Sequence, residues 1–412
     1  MTTKPPRSRR KPSRFAAAAL GAAVSLAAPA FASGAAPCGD WPVYREFVSK
    51  LVQADGRVVD FSVPVQQTTS EGQSYAMFFA LVANDRATFD KLLQWTRANL
   101  SAGRFDAASV TLPAWQWGKK PDGSYGVLDP NSASDADLWI AYDLFEAGRL
   151  WREPAYTKLA YALATQIAQQ EVADLNGLGP MLLPGKQGFQ NGGVTRVNPS
   201  YLPLPLLRAL AAQMPSGPWA RLAENAFTLV KTTAPRGFAP DWAAYRVNVG
   251  GQFIVDPVKG DLGSYDAIRV YLWAGLAAPG DPLAKPWLAS LGGMREQIAA
   301  TGVPPEHVAT TSGAVKGEAP LGFWGALLPY FNALGDARAA GLAQAHLASF
   351  WNSPAPAANG QAPQPNHQPA YYDQVLTLFG TGAAEGRYRF DEAGRLMPRW
   401  ETTCQSATAR AF

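Results

Sequence analysis

Three acidic residues open apolar stretches that carry little other charge. Glu71 begins "EGQSYAMFFAL", Asp135 begins "DADLWIAYDLF" with Asp137 two residues on, and Asp266 begins "DAIRVYLWAGL". A serine stands one or two residues before each acid: Ser70, Ser134 and, ahead of Tyr265 and Asp266, Ser264. Serine is a preferred helix N-cap because its hydroxyl satisfies an orphan backbone N–H. An acid in the first turn gains about 0.3–1 kcal/mol from the helix dipole. For one helix that explanation suffices. Three such helices running parallel around a common axis deliver all three carboxylates to one rim. There, one carboxylic acid can protonate a leaving oxygen while a carboxylate activates water, which is the chemistry of glycoside hydrolysis.

Other chemistries lack their residues. His307, His346 and His367 are dispersed, without H-E-x-x-H spacing, and are expected to be surface or structural residues. No calcium loop, G-x-S-x-G, P-loop or dinucleotide fingerprint occurs, so neither a metal nor a cofactor is expected. A sugar-cleaving site also needs aromatic platforms. Candidates are Trp115 and Trp117 in "LPAWQWGKKPDG", Tyr201 in "NPSYLP", Trp242 in "APDWAAY", and Tyr371 and Tyr372 in "QPAYYDQVL". With 13 Trp in the chain most must serve the core. Trp115 and Trp117 lie in a polar, glycine-containing segment where burial is harder, which favours sugar stacking.

The elements that must carry these residues are helical. Hydrophobic periodicity predicts helices at about 40–53, 72–84, 85–100, 135–150, 154–171, 201–213, 217–231, 265–278, 283–300, 320–333, 335–351 and 369–380, in six consecutive pairs. Strand signals are few and short. One member of a pair is apolar on nearly every face, as in "SYAMFFALVA", and must be surrounded. Its neighbour is amphipathic, as in "RATFDKLLQWTRANL", and can lie outside. Alternating inner and outer helices give an all-α (α/α)6 barrel. Long loops at about 101–134, 173–200 and 232–264 join some pairs, and no linker divides the chain, so residues 33–412 are expected to form a single catalytic domain.

The first fourteen residues hold six cations and no acid, and "FAAAALGAAVSLAAPAFA" follows. A basic head, a short apolar middle and an A-x-A end describe a secretory signal peptide over residues 1–32, which implies periplasmic or secreted localisation. Taking those cations from the formal charge of +4 leaves −2. Neither nucleic acid nor stable membrane insertion is therefore expected. The only cysteines, Cys38 and Cys404, stand near the two ends of the mature chain. In an oxidising compartment they are expected to form a disulfide, worth roughly 4–5 kcal/mol by loop entropy. A helical solenoid, the alternative to a barrel, would hold them too far apart to pair.

"TTSEGQSYAMF", "LPAWQWGKK", "LDPNSASDADLWIAYDLFEAGRLW", "MLLPGKQGF", "GFAPDW" and "SYDAIRVYLW" together resemble glycoside hydrolase family 8, in particular its endoglucanases that accompany bacterial cellulose synthase. The resemblance implies an open cleft across the helix N-terminal rim and internal, inverting cleavage of a β-1,4-glucan. It also implies a functional link to a cellulose synthase complex, and the chain is expected to be a monomer. Glu71 matches the general acid, Asp266 the general base, and Asp135 the carboxylate that binds and distorts the sugar at the cleavage point. Arg269 matches an arginine beside the base. Tyr201, Trp115 and Trp117 match positions lining the groove.

To act as an acid near neutral pH, Glu71 needs a raised pKa, against the pull of its helix dipole. Burial and neighbouring anions are the expected causes. Xylan, chitosan and mixed-linkage glucan are neighbouring substrates. A polysaccharide lyase of the same architecture, which needs basic groups opposite a uronate, fits an acid-rich site poorly. A glycan-binding scaffold without catalysis is the remaining rival.

Overall fold

A computed structural model describes residues 40–247, 250–352 and 370–401, all within the unit Cys38–Phe412. The segment 1–32, both cysteines and His367 lie outside the described residues.

The helices are α1 (Pro42–Leu51), α2 (Ser70–Val82), α3 (Arg86–Asn99), α4 (Ser134–Leu150), α5 (Pro154–Gln170), α6 (Leu204–Gln213), α7 (Trp219–Thr233), α8 (Ala267–Leu276), α9 (Ala284–Ala289), α10 (Gly292–Thr301), α11 (Leu321–Ala333), α12 (Ala337–Asn352) and α13 (Tyr371–Ala384). Six of them, α2, α4, α6, α8, α11 and α13, form the inner ring of an (α/α)6 barrel. In α2 every residue except Glu71 is buried, and α11 is buried from Leu321 to Phe331. The outer helices bury a single stripe. For α3 that stripe is Phe89, Leu92, Trp95 and Thr96, and α7 buries Trp219, Leu222, Ala223, Ala226, Leu229 and Val230. These are the spacings of a helix with one face on the core.

Aromatic rings fill the barrel axis. Phe379 of α13 lies 4.7 Å from Phe79 of α2, 5.3 Å from Trp139 of α4 and 5.4 Å from Trp273 of α8, centroid to centroid. The Phe79–Phe379 contact joins the first inner helix to the last. Between α11 and α13 a Cβ on Gly380 would stand 1.8 Å from the Gly325 carbonyl oxygen, so glycine alone permits that approach.

Two sequence expectations need correction. The helix expected at 283–300 is two helices, because the Gly293 N–H donates to the Gly237 carbonyl (3.1 Å) and leaves the helical ladder. Strands are also more numerous than expected. Among the described residues, six small antiparallel sheets decorate the barrel, built from strands of two to five residues. Runs that short hardly express the period-2 alternation by which strands are recognised.

Candidate active site

The first turn of α2 is held from three sides. Thr68 and Thr69 pair with Trp117 and Gln116, and the Ser70 N–H donates to the Trp115 carbonyl (3.0 Å). Gln73 accepts from the Val58 N–H (2.7 Å) and donates to the Gly56 and Leu92 carbonyls. The tryptophan-bearing strand is thereby fastened to the residues that present Glu71. Gly72 matters too: a Cβ there would lie 3.2 Å from the Tyr371 hydroxyl, which donates to Glu71 Oε1 (3.3 Å).

None of the three serines caps its helix in the expected way. Thr69 caps α2, accepting from the Gly72 N–H (3.0 Å). Ser134 donates instead to the Leu183 carbonyl (2.6 Å). At α8 the Asp241 carboxylate, from the preceding loop, accepts from the N–H groups of Ser264, Asp266 and Ala267. For α4 and α8 the cause is common: the helix starts beneath a long loop, and that loop supplies the partner. At α2 the adjacent Thr69 takes the cap, and the buried Ser70 hydroxyl has no hydrogen bond.

Arg269, one turn beyond Asp266, gathers the acids. Its side chain is only 3% exposed. Nη1 donates to Glu71 Oε2, to Tyr75 Oη (3.2 Å) and toward Asp135 Oδ2 (3.4 Å). Nη2 donates to Asp266 Oδ1 (2.6 Å) and Ser200 Oγ (3.1 Å). One planar fork thus meets carboxylates from α2, α4 and the start of α8, residues up to 198 positions apart. The other oxygen of Asp135 is buried and has no protein hydrogen bond. A buried acceptor left open is a group for which a ligand hydroxyl can provide the missing bond.

Burial is the largest influence on Glu71 and pushes its pKa up; the Arg269 cation opposes this and the Asp266 anion adds to it, with a net rise. Asp135 is pushed up to about 7, again by burial ahead of Arg269. The sequence expectation named burial and like charge correctly. It did not anticipate that Arg269 would bind Glu71 directly.

The aromatic residues divide. Tyr371 touches Glu71, as described. The Tyr201 ring has the Arg269 guanidinium 5.7 Å from its centroid. Tyr372 donates to the Tyr265 carbonyl on the rim. The Trp117 ring lies beside Tyr125 (5.5 Å, 23° between planes), and Arg57 lies 4.4 Å from the Trp117 centroid and 5.2 Å from that of Tyr125. Trp115 is half-buried, and no ring of the described residues stacks on it. His346 stacks on Trp324 (4.6 Å), a structural place. A groove of about 900 Å³ between α3 and α5, lined by Asp90, Arg97, Tyr156 and Leu159 among others, includes none of these residues.

Sequence reasoning missed Tyr75, Ser200, Asp241 and Glu171. Tyr75 was findable, lying four residues from Glu71 on one helical face. The others come from loops or an outer helix end, and no local pattern marks them. Glu171 accepts from Ser132 Oγ (2.6 Å) and stands beside Asp137; burial pushes Glu171 up to about 8 and Asp137 well above the carboxylate range. Two buried acids in contact retain a proton. Folding therefore binds protons between about pH 4.5 and 8, so this pair makes the protein less stable as pH rises through that window. Glu171→Gln, neutral at every pH, is expected to reduce the loss of stability between pH 5 and pH 8.5 by an amount on the order of a few kcal/mol, read as a smaller drop in melting temperature. Parallel thermal melts of the two proteins check this. An unchanged loss would show that the pair does not titrate as described.

The sequence profile of Glycosyl hydrolases family 8 matches residues 16–386. An endoglucanase of Xanthomonas axonopodis pv. citri (strain 306) is 49% identical over 391 residues, covering 95% of this chain and 96% of its own. The endoglucanase of Escherichia coli (strain K12) is 42% identical over 369 residues, 89% of this chain and 93% of its own. The crystal structure of an endo-1,4-D-glucanase from Vibrio fischeri ES114 superposes with a TM-score of 0.79 at 40% identity, over 88% of this chain and all of that one. A helical barrel that brings three carboxylates onto one arginine agrees with these likenesses, and the chain belongs to glycosyl hydrolase family 8, as a glycoside hydrolase of endoglucanase type.

Proposed function

We propose that this enzyme cuts β-1,4-glucosidic bonds inside cellulose-type glucans with inversion of configuration, and that it does so in the periplasm in support of cellulose synthesis. The observation that carries the reading is the convergence of Glu71, Asp135 and Asp266 on Arg269 at the N-terminal ends of three inner helices. Glu71, kept protonated by burial, gives its proton to the glycosidic oxygen as the C1–O bond breaks. The Asp266 carboxylate takes a proton from the water that attacks C1 on the opposite face. Asp135 accepts a hydroxyl of the sugar at the cleavage point through its open oxygen. Trp115 and Trp117, beside the start of α2, and Tyr201 flank the chain on either side, with Tyr371 and Tyr372 at the rim. Names of similar proteins support the β-1,4 linkage, as in the Vibrio fischeri endo-1,4-D-glucanase. The placement in the cell rests on the basic and apolar N-terminal segment, and the link to cellulose synthesis on the resemblance of the motifs.

Inversion is what the resemblance to family 8 implies, and the separation of the two carboxyl groups is the quantity that distinguishes it from retention. Inverting enzymes hold their two carboxyl groups about 6.5–9.5 Å apart, leaving room for water, and retaining enzymes hold them at about 5–5.5 Å. Here Glu71 and Asp266 bind different nitrogens of one Arg269 fork. Digestion of soluble carboxymethylcellulose is expected to lower viscosity early, and proton NMR of a cello-oligosaccharide digest to show the α-anomer first. A β-anomer appearing first would overturn inversion, and faster cleavage of xylan or chitosan would move the substrate class.

A further inference from the structure

Trp242 was a candidate sugar platform in the sequence. Its surroundings assign it differently. The indole Nε1–H donates to Asp266 Oδ2 (3.1 Å), while Oδ1 of the same carboxylate is taken by Arg269 (2.6 Å). Around the indole ring, Phe189 stacks at 6.0 Å with 18° between planes, and the Arg196 guanidinium lies 4.7 Å from the centroid. Arg196 is itself fixed by a two-pronged pair with Asp256: Nε to Oδ2 at 2.7 Å and Nη2 to Oδ1 at 3.1 Å. Asp256 is buried and also accepts from the N–H groups of Val258 and Lys259. The preceding residue, Asp241, accepts three N–H groups at the start of α8 and the Ser264 hydroxyl (2.5 Å).

We propose that the dipeptide Asp241–Trp242 is a clamp that positions the base Asp266, Asp241 fixing its main chain and Trp242 its carboxylate, with Asp256 and Arg196 holding the indole in place. The inference rests on Asp266 being the base. Indole has one donor and no acceptor, so its hydrogen bond favours the ionised carboxylate and constrains one oxygen. A guanidinium over the ring face is attracted to its negative quadrupole, and by drawing electron density from the ring it strengthens the N–H as a donor. A carboxylate pinned at Oδ1 by Arg269 and at Oδ2 by Trp242 cannot rotate, and lone pairs remain on it for the proton of the attacking water. Trp242 and Asp241 are therefore positioning residues, acting through Asp266 and not on the sugar.

The test separates positioning from sugar stacking. Trp242→Phe keeps the ring and removes the donor. It is expected to lower kcat about 10–100-fold with KM on cellopentaose changed less than twofold. It is also expected to move the acidic limb of the pH–rate profile to higher pH, since a donor to the charged form has been lost. The charged and titratable groups facing Asp266 are Arg269 on its own helix, Glu71 on α2, Asp135 on α4, Asp241 on the preceding loop, Tyr372 on α13 and Tyr201 beside it. All remain in the variant, so the limb moves through the lost N–H. Arg196→Gln, two contacts away from the carboxylate, should give the same signature at smaller amplitude, and provides the measurement if Trp242→Phe fails to fold. A raised KM with kcat and pH profile unchanged would overturn the clamp and make Trp242 a platform. Asp266→Asn is measured alongside: if it retains activity, the base assignment itself falls, whereas an inactive Asp266→Asn with an unaltered Trp242→Phe profile removes only the clamp.

Discussion

Glu71→Gln is expected to lower kcat on soluble glucan by about 10²–10⁴-fold, the usual contribution of a positioned general acid, and to leave the fold intact. Glutamine has the same shape, and its carbonyl oxygen can still accept from Arg269 Nη1 or from Tyr371, the two donors that hold Glu71 now. What it lacks is a proton to give. Burial already favours the neutral carboxyl, so replacing it by a neutral amide takes away little charge that the fold depends on. The melting temperature should stay within a few degrees. Two further readouts bind the loss to proton donation. Aryl cello-oligosaccharides with acidic phenol leaving groups need little protonation, so their rates should fall far less than those of cellulose-derived substrates. The wild-type rate should decline above neutral pH as the cluster loses its proton, with Asp135 raised to about 7 and Glu71 raised beside it. That decline belongs to the coupled group and not to one residue. It should vanish from the residual activity of the variant. Equal losses on both substrate types would remove Glu71 from the role of acid.

The sequence made much of this legible for a definite reason. Inner helices such as α2 and α11 are apolar on every face, outer ones such as α3 and α7 on one, and that contrast is written in single residues. The acids were legible because a charge at the edge of an apolar run stands out. What could not be read is the matter between the helices. Asp241 caps α8 from a loop more than twenty residues away, and Glu171 meets Asp137 across a gap of similar kind. Such pairings depend on where loops land after the barrel closes. The same holds for Ser134 and Ser264, whose apparent capping pattern gave way to partners supplied by those loops. For Arg269 only proximity to the base was legible. Its simultaneous hold on Glu71 and Asp135 needs three helices in register.

Arg269 is accordingly where the second large effect should appear, and here stability and activity separate. Arg269→Met leaves three carboxylates facing one another without a cation. Removing one partner of a buried ionic group costs about 3–5 kcal/mol, and the lower end applies because Glu71 and Asp266 are partly exposed. The cost should depend on pH. Without the cation the acids hold protons more tightly in the folded state than in the unfolded chain, so the variant loses stability as pH rises from about 4 toward 8. At pH 5 the gap from wild type narrows; at pH 8 it is widest. Arg269→Lys restores the charge but not the fork. A single ammonium cannot serve Glu71 and Tyr75 through one nitrogen and Asp266 and Ser200 through another. Lysine should therefore recover most of the thermal stability at pH 8 while kcat stays at least about 10²-fold down, a loss of the size expected when reacting groups are misplaced. Thermal melts across pH and kcat on cellopentaose decide the matter. A lysine variant with wild-type kcat would mean that charge alone organises the three acids, and that the fork geometry on which the spacing of Glu71 and Asp266 depends has no catalytic consequence.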